Sequence, residues 1–224
     1  MIIKNIPLEL DYLANCYILT DEKTGESALV DPGLYTDELK NYIKNEKPNL
    51  KYILLTHGHF DHIFGAYPIR EETGAKIVIS KYDESCLSNE NDNLLEDSDF
   101  SSFKDKLEPY FTRCNADITV DDGDEIVIGE SKLRVMATPG HSAGGVCYID
   151  KESRFIISGD TLFYKCVGRA DKGSCNPEEL RISCLKLVSL EGDYDVYPGH
   201  GPSTNLATER THNFLIRHFR GRQG

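Results

Sequence analysis

The chain has no run approaching the ~20 apolar residues that a membrane span requires, so no spanning helix is expected. Its opening, MIIKNIPLELDYLANCYIL, lacks the charged-then-apolar layout of a secretion signal and reads as strand. Positive charge is scarce: 25 Lys and Arg stand against 37 Asp and Glu, for a formal net charge of −12. Nucleic-acid binding needs many phosphate-neutralising cations, so that partner is not expected. A small anionic substrate stays open, because one metal ion can dominate a local field. The cysteines at 16, 86, 114, 147, 166, 175 and 184 are widely spaced with no CxxC, which argues against a zinc knuckle or a thioredoxin-like site. Reduced thiols in a cytoplasmic protein are the expectation.

What is present suits a globular fold. With 39% hydrophobic and 28% charged residues over 224 positions, the composition is neither disordered nor fibrous, and one domain spanning 1–224 is expected. Asn15–Thr20 and Ser27–Asp31 are apolar runs joined by a turn-like DEKTGE, which predicts a hairpin. Helical spacing of apolar residues predicts helices over 36–45, 63–73, 177–190 and 206–219. Short strands are predicted at 52–56, 76–80, 118–120, 125–128, 132–137, 145–150, 154–158 and 195–197. Residues 83–112 are polar and acidic, and read as an irregular excursion that is either a lid or a solvated insertion. The element order fits two sheets packed face to face with helices outside, an α/β architecture.

Chemistry concentrates after the strands. His57, His59, Asp61 and His62 fall within six residues, directly after the 52–56 strand. A loop leaving a strand can turn all four side chains to one point, and neutral imidazole and carboxylate are good ligands for zinc and similar ions. His141 in TPGHS, Asp160 in SGDT and His200 in YPGHG each follow an apolar run beside glycine. Five histidines and two aspartates exceed what one tetrahedral ion takes, and suit two divalent ions if one carboxylate bridges. Such a pair generates hydroxide at neutral pH and binds an acyl oxygen.

THxHxDH, then PGH, GD and PGH, resembles the metallo-β-lactamase superfamily, from Asn15-Cys16-Tyr17 through Gly201-Pro202. GDTLF at 159–163 followed by VGRAD at 167–171 looks like its glyoxalase II (hydroxyacylglutathione hydrolase) branch. The resemblance implies a four-layer αββα sandwich. It also implies one ion held by His57, His59 and His141, a second by Asp61, His62 and His200, and Asp160 as the bridge. Asp61 and Asp160 would be catalytic as well as metal-binding. Zinc is the first choice of ion, with iron or manganese also compatible. The implied activity is hydrolysis of a small-molecule thioester, such as hydroxyacyl-glutathione, by a metal-bound hydroxide. Only 24 residues follow His200, where glyoxalase II proper carries a helical domain gripping glutathione, so the resemblance is to shorter glyoxalase II-like hydrolases. The alternative within the superfamily is a persulfide dioxygenase, with one iron held by the counterparts of His57, His141 and Asp160.

Several residues carry two readings. Asp31, before Pro32-Gly33, either orients a ligand histidine or only forms a turn. Arg169 and Asp171 either bind a substrate carboxylate or brace each other, with bracing favoured. Tyr164, Lys165 and Cys166 are placed near the substrate, although a cysteine nucleophile is superfluous beside a metal hydroxide. His212 and His218 are assigned no role.

Overall fold

A computed structural model describes residues 1–221 except 9, 11, 12, 98–103 and 105. One six-stranded sheet runs in the order β1 (Ile2–Ile6), β2 (Cys16–Thr20), β3 (Glu26–Val30), β4 (Asn49–Leu54), β5 (Lys76–Ser80) and β6 (Ile118–Val120). The other runs β14 (Thr204–Asn205), β13 (Asp195–Pro198), β10 (Phe155–Gly159), β9 (Val146–Asp150), β8 (Ser131–Ala137) and β7 (Glu125–Ile128). A small hairpin, β11 (Leu162–Phe163) with β12 (Cys166–Val167), stands apart.

Strand alternation divides the core into three layers. Tyr17, Leu19, Val30, Leu54 and Val78 face the other sheet, meeting Ile128, Leu133, Val135, Tyr148 and Ile157. Their neighbours Ile18, Leu29, Ile53 and Ile77 face outward onto helices α1 (Asp37–Glu46) and α3 (Ala66–Thr73). On the far side Met136, Cys147, Ile149 and Ile156 pack under α4 (Pro177–Val188), α5 (Leu206–His212) and α6 (Phe214–Gly221). Strands with a period of two and both faces buried require this helix–sheet–sheet–helix stacking. It is the four-layer αββα sandwich expected from the sequence. Among the described residues, no helix is long and apolar enough to cross a membrane.

The topology brings several strand ends to one edge. Strands β3 and β4 are parallel. Strands β8 and β10 both run antiparallel to β9, and β13 runs parallel to β10. The carboxyl ends of β3 and β4, and of β8, β10 and β13, therefore release their loops at one edge of each sheet. Two bonds tie these loops across the sandwich: the buried Tyr148 hydroxyl donates to Leu55 O at 2.9 Å, and Val146 N donates to Thr56 O at 2.8 Å.

Two expectations need correction, and the excursion gains definition. The helix expected over 63–73 is two pieces, α2 (Phe60–Ile63) and α3, because Gly65 N–H turns aside to Pro32 O at 2.7 Å. The helix expected over 206–219 breaks at the buried Asn213. Its Oδ1 accepts from Leu215 and Ile216 N–H, capping α6, while its Nδ2 donates to Cys166 O and to Glu209. The excursion is not merely solvated: it carries 3-10 turns at Glu84–Leu87 and Glu108–Tyr110 and buries Leu87, Asn93, Leu94 and Leu95. Its residues 98–103 and 105 lie outside the described residues, as do positions 9, 11 and 12 of the amino-terminal strand reading.

Candidate metal centre

All seven histidines and aspartates singled out in the sequence meet at this edge. His57 and His59 leave β4, and Asp61 and His62 sit in α2. His141 follows β8, Asp160 follows β10 and His200 follows β13. They form three overlapping groups whose ligand atoms lie within 4.8 Å of one another: His57, His59 and His141; His57, His62 and Asp160; Asp61, His62 and His200.

Asp160 touches histidines of both outer groups. Its Oδ2 lies 3.4 Å from His141 Nε2 and 3.7 Å from His200 Nε2, and its Oδ1 lies 3.6 Å from His62 Nε2. His57 Nε2 and His59 Nδ1 point at each other across 3.0 Å, and His200 Nε2 stands 3.1 Å from Asp61 Oδ2. His62 Nε2, His141 Nε2 and Asp160 Oδ1 are buried without a hydrogen-bond partner. Buried polar atoms are rarely orphaned without a reason. Three orphans aimed into a cluster of imidazoles and carboxylates fit a site built for divalent cations.

The surroundings fix which ring nitrogens carry protons. His141 Nδ1 donates to Arg169 O at 2.8 Å, so Nε2 is the nitrogen that faces the cluster. Thr56 Oγ1 donates to Asp31 Oδ2 at 2.7 Å, so its 3.2 Å contact with His57 Nδ1 has the ring as donor. His62 Nδ1 lies 3.0 Å from the same Asp31 Oδ2, in ion-pair contact although poorly aligned for a hydrogen bond. Asp31 is thus a buried hub, in contact with one histidine of the cluster and linked through Thr56 to a second, not a turn former alone. Asp31 sits at φ +47°, and its Oδ1 accepts the N–H of Thr56 at 2.8 Å.

Electrostatics divides the cluster. Burial, reinforced by neighbouring imidazoles, holds His57 and His59 well below the ordinary histidine value, so both are neutral. Burial pushes His62 the same way, but Asp61, Asp31 and Asp160 outweigh it and raise it to about 10. His200 is raised as well, its burial outweighed by Asp61 and Asp160. Asp61 is held below the usual carboxylate range: burial acts upward, and His62 and His200 prevail. The Asp61–His62–His200 group is therefore one that positive charge stabilises.

Two residues that sequence reasoning missed hold the loops in place. The buried Asp83 accepts from Gly58 N at 3.0 Å and Gly144 N at 2.6 Å, joining the His57–His62 loop to the loop after His141. Burial pushes its carboxyl up, against the bonds it accepts. Asn15 donates to Pro198 O and Gly201 O, and so straddles His200. Nothing local in the sequence marks Asp83; its role exists only in the folded chain. Gly199 shows how tight the centre is: a Cβ there would lie 2.2 Å from Asp160 Oδ1 and 2.8 Å from His62 Cε1. Gly199→Ala is expected to weaken zinc binding at least tenfold, roughly 1.4 kcal/mol. Calorimetric titration checks this, and unchanged affinity would mean that the neighbours absorb the methyl group.

A cavity of about 320 Å³ opens over the cluster. His59, Asp61, His141, Asp160 and His200 form its base, and Phe60, Leu94 and Phe163 supply apolar wall. Arg169 and Lys172 also line it, Arg169 forking onto Asp171 at 3.0 and 3.1 Å in the brace expected from the sequence. Tyr164, Lys165 and Cys166, placed near the substrate by the sequence, do not line the cavity. They lie at the turn and far strand of the β11–β12 hairpin, where Glu209 accepts from Lys165 N, and Phe163 takes the inward position instead. His212 and His218 lie outside the cluster.

The model of the metallo-beta-lactamase superfamily matches residues 11–200. The chain is 34% identical over 207 residues to the "probable metallo-hydrolase YqgX" of Bacillus subtilis, covering 92% of this chain and 93% of that one. Among solved structures it is similar to the BLEG-1 B3 metallo-beta-lactamase, with a TM-score of 0.85, 30% identity, and 96% and 99% of the two chains covered. It is also similar to TTHA1623 in a di-iron-bound form, with a TM-score of 0.76, 29% identity, and 93% and 98% covered.

Proposed function

The chain belongs to the metallo-β-lactamase superfamily, and from that premise we propose that it is a metal-dependent hydrolase of small thioesters, with hydroxyacyl-glutathione as the model substrate. His57, His59 and His141 would hold one ion and Asp61, His62 and His200 the other, with Asp160 between them. Zinc is the first choice, and iron and manganese suit the same donors. When bound, such a pair supplies a nucleophilic water at neutral pH and a Lewis acid for the carbonyl oxygen.

The observation that carries the reading is the composition of the cavity wall. Among the described residues lining it, the only carboxylic acids are Asp61 and Asp160, and both are engaged with the histidines. Neither carboxylate is free to act as general acid for an amine or alkoxide leaving group. A thiol, with a pKa near ~8.5, departs as thiolate without one. Asp160 lies between the two histidine groups, Arg169 O holds the His141 Nδ1 proton away from the cavity, and the Asp31 carboxylate stands against His62 Nδ1. Phe60 and Phe163 exclude water from the substrate's flanks.

Protein loaded with zinc or iron and then dialysed is expected to retain close to two ions per chain. It should hydrolyse one acyl group carried on glutathione, on coenzyme A and on a minimal thiol with kcat/KM values within about 100-fold, roughly 2.7 kcal/mol. A larger preference for glutathione would overturn the carrier tolerance. Oxygen uptake with a persulfide and a ceiling of one iron would replace the hydrolase by the dioxygenase. Faster turnover of a β-lactam than of any thioester would move the activity to that class.

A further inference from the structure

The cavity has two unlike walls. Phe163 stands near His200, with ring centroids 6.2 Å apart. The opposite wall belongs to His141 and is built by two segments far apart in sequence. One is the loop carrying Arg169, Lys172 and Cys175, pinned to His141 by its Nδ1–H bond to Arg169 O and by the Cys175 thiol, which donates to His141 O at 2.7 Å. The other is the polar excursion, which reaches the cavity through Leu94.

The excursion is fastened at that point. Asn93, fully buried, accepts the N–H of Phe60 through its carbonyl, and Phe60 directly precedes Asp61. Its side chain donates to Cys86 O and accepts from Leu95 N. Beyond it, Asp97 pairs with Lys172 at 3.2 Å. Leu94 itself sits at φ +69°, where a non-glycine residue is strained. Gly or Asn would meet that backbone at less cost, so the side chain is what the position supplies. That side chain covers Gly173 so closely that a Cβ there would come within 2.7 Å of Leu94 Cδ2. An uncommon backbone held by buried bonds, presenting a bulky group beside reactive residues, is a constraint with a functional reading.

Resting on the hydrolase reading for the identity of the substrate, we infer that Leu94 is a specificity-determining residue: it limits the size of the substrate arm that lies along the His59–His141 side of the cavity. The favoured ligands are therefore small on that arm, and a branched or aromatic group is excluded by the leucine itself. Truncating Leu94 opens that wall and leaves the ligand cluster untouched.

The test uses zinc-loaded wild-type protein, Leu94→Ala and Leu94→Gly, the glycine variant also relieving the backbone if alanine fails to fold. Two metal-seeking thiols serve as probes, 2-mercaptoacetate and 2-mercapto-3-phenylpropanoate, which differ by a benzyl group. Calorimetry is expected to show at least a tenfold preference of the wild type for the small probe. In the variants the bulky probe gains tenfold or more and the small one changes by less than threefold. A wild type that binds both equally, or variants that shift both alike or neither, overturns the inference. The same proteins are assayed with acetyl and phenylacetyl thioesters of one thiol. The expected affinity shift without turnover of any thioester would retain Leu94's role and reject the thioester substrate instead.

Discussion

Asp160→Ala is expected to lower kcat/KM by about three decades, roughly 4 kcal/mol of transition-state stabilisation, and to abolish paired metal binding while the fold survives. Among the described residues, Asp160 is the only carboxylate within 4 Å of His62, His141 and His200 together, so its loss breaks the link between the two outer groups. The remaining imidazoles would hold at most one ion well. Stability should hardly suffer, because Asp160 Oδ1 has no hydrogen-bond partner and its backbone neighbours are tied independently, Thr161 N to Ser158 O and Gly199 N to Gly159 O. Metal content after dialysis, circular dichroism of the metal-free protein and thioester turnover are the three measurements. Wild-type activity, or two retained ions, would reduce Asp160 to a turn residue.

The seven residues of the cluster were legible because each stands just past an apolar run, and four of them fall in one six-residue stretch. That pattern survives the loss of all three-dimensional information. Asp31 was half legible: its place after a strand fitted either of two roles, and only its bonds to Thr56 and its contact with His62 choose between them. Asp83 and Leu94 were not legible. They sit in a polar stretch without periodicity, and their contacts, to Gly58, Gly144 and Gly173, reach across as many as 79 positions. Asn213 shows the opposite failure. The local pattern from 206 to 219 is helical throughout, and the Asn213 side chain overrules it through a tertiary bond to Cys166 and a cap on Leu215 and Ile216. The β11–β12 hairpin and the partner strand β14 escaped because two-residue strands leave no alternation to read.

Asp31→Asn is expected to leave the protein folded and yet weaken metal binding 10- to 100-fold, the range typical of lost partners to ligand histidines. Asparagine isolates the chemistry, since it tolerates the φ of +47° and nearly matches the aspartate in volume. Its amide has two orientations in the buried pocket. In the first, oxygen still faces Thr56 N, and the NH2 takes the place of Oδ2 beside Thr56 Oγ1 and His62 Nδ1. That NH2 removes the negative charge beside His62 Nδ1 and sets hydrogens against it, which disfavours a proton there and favours one on Nε2, the atom that faces Asp61 and Asp160. Thr56, now an acceptor from the amide, must turn its own proton toward His57 Nδ1, which moves the His57 proton to Nε2 as well. Both histidines then hold hydrogen where a ligand lone pair is needed. In the second orientation the NH2 meets Thr56 N–H, donor against donor, at a cost of about 1–3 kcal/mol for the unsatisfied buried group. The two roles separate cleanly in measurement. A purely structural Asp31 would lower Tm and leave the zinc affinity of the folded variant at the wild-type value. A positioning Asp31 lowers affinity and turnover together in protein whose circular dichroism is unchanged. Two ions bound by Asp31→Asn with wild-type affinity would sink the assignment.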